Sequence, residues 1–110
     1  MNYEFMLADT PLPPCLPLPK AAVQLPISST AKVLYACLLD EIIAEGIEDR
    51  NGIMYIEFPI MELAIAICRS PMTVKRTLNE LEQAGMIMRV RQSVGEASHI
   101  YILIPEGNRL

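Results

Sequence analysis

The chain has 110 residues, 52% of them hydrophobic and 20% charged, with a formal net charge of −4. That is the length of one domain with enough apolar material for a real core, which excludes general disorder. No apolar run reaches the roughly 18 uncharged residues of a membrane span, and no basic-then-apolar leader opens the chain, so a cytoplasmic protein without membrane association is expected.

Cys15, Cys37 and Cys68 are odd in number and widely spaced, and the last two sit among apolar residues. Buried, reduced thiols are expected for both. With His99 the one histidine and no close Cys/His pair, neither a metal site nor a cofactor is expected.

Residues 1–26 include Pro11, Pro13, Pro14, Pro17, Pro19 and Pro26. That density blocks helix and sheet ladders and predicts an extended N-terminal arm. It is either a ligand for a proline-recognising partner or a strap lying on the domain or on a second subunit. Leu12, Leu16 and Leu18, interleaved with the prolines, favour packing.

A domain over 27–105 follows, with 106–110 as a tail. Ser28 or Ser29 caps a helix to about Glu45, with Ala31, Leu34, Leu38 and Ile42 on one face and Gly46 as its stop. Val33, Tyr35, Cys37, Leu39 and Ile43 make much of the remaining circumference apolar, so this helix is central to a core or part of a subunit interface. Ile47 to Asn51 reads as an acidic loop and Ile53 to Phe58 as a strand. Pro59 opens a helix over about Ile60–Ile67, and Cys68-Arg69 is the turn after it.

Ser70 caps the next helix, Pro71 fits its first position, and Gly85 ends it. Val74, Leu78 and Leu81 mark its apolar face; Met72, Arg76, Asn79 and Gln83 lie opposite, flanked by Thr73 and Lys75. Met86, Met88 and Val90 then alternate with Arg89 and Arg91, predicting a strand with those apolar residues inward and the arginines outward. A glycine-containing loop, Ser93 to Ser98, leads to a strand from His99 to Ile104. Helix, strand, helix, helix, strand, strand is the order of an α+β winged helix-turn-helix, here with a proline-rich arm.

Charge is polarised along the chain. Residues 28–68 carry Lys32 and Arg50 against seven carboxylates, a net −5, while residues 69–92 carry five cations against Glu80 and Glu82, a net +3. A local positive field of this kind suits phosphate contacts despite the acidic total. Arg76 is the prime candidate for reading a guanine edge or clamping a phosphate, its alternative being an ion pair with Glu80. Asn79 is a candidate for adenine, or a plain surface amide. Lys75, Thr73 and Ser70 are candidates for backbone positioning, and Arg89 and Arg91 for phosphate contacts from the wing. Met72 suits a base or a thymine methyl, or packing; His99 reads as structural. No glycine-rich phosphate loop, Ser/His/Asp set or paired carboxylates point to catalysis, so no enzyme is expected.

Several blocks, taken in order, resemble the N-terminal DNA-binding domain of the plasmid-type replication initiator protein A family of Gram-positive bacteria and their mobile elements. They are Leu18-Pro19-Lys20, Ser29 through Asp40, Asn51 through Ile56, Ser70 through Lys75, Leu78 through Leu81, Glu82 through Ile87, and Arg91-Gln92 to Tyr101. The resemblance implies a winged helix binding repeated or inverted double-stranded sites at an origin, commonly as a homodimer, and recruiting the replication machinery. The broad apolar surface of residues 31–43 and the arm also point to a dimer. The sequence departs from the family in a shorter, acidic segment after Leu-Leu-Asp and in Glu96 at the wing tip. A transcriptional regulator of the same fold, or a winged helix that binds protein instead of DNA, are the alternatives.

Overall fold

The computed structural model describes residues 3–91 and 98–105. Its elements are α1 (Lys20–Val23), α2 (Ser29–Glu45), β1 (Ile47–Glu48), β2 (Met54–Ile56), α3 (Ile60–Ile67), α4 (Pro71–Gln83), β3 (Ile87–Val90) and β4 (His99–Ile102). The four strands form one antiparallel sheet in the order β1-β2-β4-β3. The winged-helix architecture is therefore present, with one more short helix and one more short strand than the spacing of residue types suggested. The tail at 106–110 and most of the wing loop, Glu96 included, lie outside the described residues.

Helix α2 is the centre of the core. Ser28 is its N-cap, the hydroxyl accepting from the Ala31 N–H at 3.1 Å. Leu34, Tyr35 and Leu38 are wholly buried against α3, α4 and β2, together with Leu63, Ile56, Val74, Leu81 and Ile87. Each such aliphatic side chain stabilises the fold by about 1.5–3 kcal/mol, so this cluster dominates the energetics. The apolar breadth of α2 is thus the breadth of a helix enclosed by its own domain. Only Val33 and Ile43, 46% and 70% exposed, still face outward as large apolar groups. Tyr35 keeps its polar end satisfied by donating its hydroxyl to the Leu103 carbonyl at 2.8 Å, and burial pushes its pKa up.

Gly46 stops α2 in an extended conformation, φ −61°, not a left-handed one. A Cβ there would run into the Ile42 carbonyl and stand 2.8 Å from Met54 Cε. The backbone carbonyl in the last turn of α2 is what excludes a side chain, since the Met54 methyl can swing aside.

Four expectations need correction. Ala22 is fully buried in the main cluster, and Leu25 and Ile27 pack on it, so packed chain begins before residue 27. Ahead of it the arm does not lie on the domain: Leu12, Leu16 and Leu18 are 71%, 47% and 36% exposed. The expected loop at Ile47–Asn51 begins as strand, because Ile47 and Glu48 pair with Tyr55 and Met54, and the second strand is confined to Met54–Ile56. Asp49 makes that tight turn, accepting from the N–H groups of Asn51 and Ile53 and from the Tyr101 hydroxyl. Cys68 is exposed instead of buried; as the left-handed residue after α3, φ 56°, it turns its side chain away from the core.

Helix α4 ends in a Schellman motif. Met86 N–H bonds the Leu81 carbonyl at 3.0 Å and Gly85 N–H the Glu82 carbonyl at 3.1 Å, with Gly85 at φ +76°. No atom lies within 4 Å of a Cβ built at Gly85, so a substitution meets only backbone strain. Gly85→Ala is expected to cost about 1–2 kcal/mol and to lower Tm by roughly 4–8 °C per kcal/mol, measured by thermal denaturation.

Candidate nucleic-acid interface

The exposed face of α4 is built from its ends inward. At the start, Ser70 Oγ accepts from the Thr73 N–H at 3.2 Å and donates to Thr73 Oγ1 at 3.0 Å, and Pro71 takes the first position without needing a donor. Thr77, which sequence reasoning left out, is buried and returns its hydroxyl to the Thr73 carbonyl at 2.7 Å. The Ser70 hydroxyl is therefore occupied in holding the first turn, while Thr73 Oγ1 accepts there and keeps its own proton to donate. What this end offers a ligand is chiefly its remaining free backbone N–H groups.

Beyond the cap, Met72, Lys75, Arg76, Asn79 and Gln83 are all exposed. Arg76 has no hydrogen bond or ion pair among the described residues. Its expected partner at i+4 is engaged elsewhere: Glu80 accepts from the Ser28 hydroxyl at 2.7 Å and from the Ser28 N–H at 2.8 Å. One carboxylate thus seals the start of α2 and leaves the Arg76 guanidinium to solvent.

The wing strand has the opposite phase from the expected one. Ile87 is buried and Arg89 half-buried, while Met88 and Val90 are 48% and 38% exposed. The Schellman turn explains the slip: Met86 is buried as the residue that closes the turn, Ile87 is buried as the first strand residue, and alternation counts from Ile87. Arg89 therefore points at α4. Its Nε and Nη2 donate to Glu82 Oε1 at 3.1 and 2.8 Å, and Nη2 also donates to Asn79 Oδ1 at 2.6 Å. The Arg89 backbone N–H adds a bond to Glu82 Oε2 at 3.3 Å.

Arg89 and Asn79, expected as separate DNA contacts, are thus two parts of one clamp joining helix to wing. Its third part, Glu82, was missed. Glu82 precedes Arg89 by seven residues across a tight turn, and no helix or strand period links such positions. These hydrogen bonds from Arg89 hold the Glu82 carboxyl below its usual pKa range.

Between α4 and β3 lies a groove of about 360 Å³, lined by Lys75, Asn79, Glu82, Arg89, Arg91 and Ser98 among others. Lys75 and Arg91 are its exposed cations. Of the eight candidate residues, Lys75, Asn79, Arg89 and Arg91 are brought together here. Met72 and Arg76 sit on the outer face, and Ser70 and Thr73 at the helix start. His99 is structural as expected, its Nε2 3.0 Å from Glu57 Oε1 and its ring stacked on Tyr55 with centroids 4.1 Å apart.

The profile of the family of replication initiator protein A (RepA) N-termini matches residues 19–106. The chain belongs to this family. Among solved structures, a Rep–DNA complex superposes on this initiator domain with a TM-score of 0.72 at 18% identity, covering 84% of this chain and 76% of that one. An MDR initiator gives a TM-score of 0.70 at 21% identity, covering 87% and 81%. The N-terminal domain of a DNA-binding protein gives 0.65 at 16%, covering 86% and 76%. Those likenesses establish the shared fold. No curated protein matches the chain.

The clamp makes a pH prediction. Because the folded pKa of Glu82 is depressed, its contribution is fully present above the unfolded carboxylate value and disappears as pH falls through the folded one. Thermal melts between pH 7 and pH 3 should show wild type losing more Tm than Glu82→Gln over that range.

Proposed function

We propose that this initiator domain binds double-stranded DNA sequence-specifically, at repeats in the origin of a plasmid or other mobile element. Helix α4 enters the major groove and the β3–β4 wing follows the adjoining backbone. The observation that carries this reading is the arrangement of charge on α4. Both of its carboxylates are consumed by Ser28 and Arg89, while Lys75 and Arg76 stand exposed with Arg91 beside them. Arg76 is assigned to base reading, with Lys75, Arg91 and the helix start on phosphates and Met72 on an apolar base edge. Membership of an initiator family favours replication over transcription as the setting. The domain acts by binding in the cytoplasm and recruiting replication enzymes, without catalysis or a cofactor of its own. Among the described residues no helix is long and apolar enough to cross a membrane.

Fluorescence anisotropy with duplexes carrying the element's origin repeats tests the reading. Arg76→Ala should cost about 1–3 kcal/mol on the cognate duplex and far less on unrelated DNA. Lys75→Ala should weaken both similarly and reduce the salt slope by about one. If the wild type binds no duplex even at low salt, DNA binding is the wrong function.

A homodimer is part of the same proposal, resting on the arm and the outer sheet face instead of α2. Tyr3, Phe5, Met6, Leu7 and Leu12 are all more than 60% exposed. Across the sheet, Ile47, Tyr55, Tyr101 and Met88 lie in cross-strand register on one face, with Ile47 and Met88 about half exposed. A second copy offers both surfaces a matching apolar partner. Light scattering should give twice the monomer mass for wild type and a shift toward monomer for Phe5→Ser with Leu12→Ser.

A further inference from the structure

Arg89 differs from the other cations of the interface in already having a carboxylate in its fork. Its side chain is 17% exposed, and the Nε–Nη2 edge that would grip a phosphate grips Glu82 instead. Asn79 takes a further Nη2 donor, and the backbone N–H of Arg89 fastens the other Glu82 oxygen to the strand. Both donors of that edge converge on Glu82 Oε1, and the same guanidinium edge is one by which arginine grips the oxygens of a phosphodiester. Glu82 therefore occupies, within the free protein, the position a DNA phosphate would compete for. The pair lines the groove with Lys75 and Arg91, so the groove carries three cations and one anion.

From this geometry we propose that Glu82 is a specificity-determining residue: it acts as an internal phosphate mimic that keeps Arg89 off the DNA backbone. The inference rests on the DNA-binding reading above. Non-specific affinity grows with each phosphate that a cation neutralises, by counterion release that takes no account of sequence. A cation withheld from phosphates lowers that background without touching the base-reading contacts of α4. The specificity ratio, which governs how an initiator finds a few sites among many, rises accordingly. Asn79 holds the same guanidinium from the helix side and so takes part in the restraint.

The test measures binding to an origin-repeat duplex and to an unrelated duplex of equal length, across a salt series, with the full chain. Glu82→Gln should bind the unrelated duplex roughly threefold to tenfold more tightly at low salt, with its salt slope steeper by about 0.9, one added phosphate contact. The origin duplex should gain less, so the ratio of the two affinities falls. The double variant Glu82→Gln with Arg89→Gln, which removes the pair without changing its net charge, should keep either affinity within about twofold of wild type and return to the wild-type slope. An unchanged slope in Glu82→Gln, or equal weakening on both duplexes, overturns the proposal while leaving DNA binding intact. So does a large loss of affinity in the double variant, a result that stands even if Glu82→Gln folds poorly. Absence of wild-type binding to both duplexes overturns the underlying reading and the proposal together.

Discussion

The two carboxylates of α4 point to opposite flanks, and the interface depends on that. Residues two apart on an α-helix are separated by about 200°, so Glu80 and Glu82 cannot share a face. Glu80 turns to Ser28 and closes the start of α2; Glu82 turns to Arg89 and closes the wing. The helix is fixed on both sides by charge-assisted bonds, and the surface between them is left without an anion. Their value is mainly orientational. Exposed ion pairs contribute about 0–1 kcal/mol each, whereas the fully buried side chains of α2, α3 and α4 supply about 1.5–3 kcal/mol apiece. The core holds the fold up; the two glutamates aim the exposed cationic face of α4.

The same arrangement shows how an acidic protein can present a cationic surface. Glu48 and Asp49 belong to β1 and its turn, at the sheet edge opposite β3. Three strand spacings separate those edges, roughly 14 Å. That exceeds the Debye length of about 8 Å at physiological ionic strength. The acidic turn therefore does little to cancel Lys75 or Arg91, and it disfavours docking of a polyanion on that side. Asp49 is also committed structurally: hydrogen bonds, the largest from the Ile53 N–H, hold its pKa down.

What could be read from residues alone was what local chemistry decides. Ser28, Ser70-Pro71 and Gly85 are caps whose side chains or backbone freedom act within one turn, and each sits where its chemistry requires. The winged-helix order followed from them. Tertiary choices were not legible. Glu80 is a good i+4 partner for Arg76, yet a backbone N–H and a hydroxyl from 52 residues away outcompete it. The phase of β3 depends on where the Schellman turn releases the chain, so apolar Met88 and Val90 were assigned inward when Ile87 and Arg89 are. Strand β1 has two residues, too few for any period to appear. Of the eight proposed contact residues, Met72, Lys75 and Arg76 are exposed on α4 without a partner among the described residues, while Arg89 and Asn79 acquire partners that only the fold could bring.

Strand β1 carries a consequence for how these molecules meet. A sheet edge with many free backbone groups is a template on which strands of other chains can add without limit. Here the edge away from the wing is only Ile47–Glu48, flanked by Gly46 and a turn with Asp49 at its start. Two residues and adjoining negative charge offer too little ladder for a foreign strand to register. Open-ended, edge-to-edge growth is blocked on that side, so copies at high local concentration can crowd there without being drawn into fibrous aggregation.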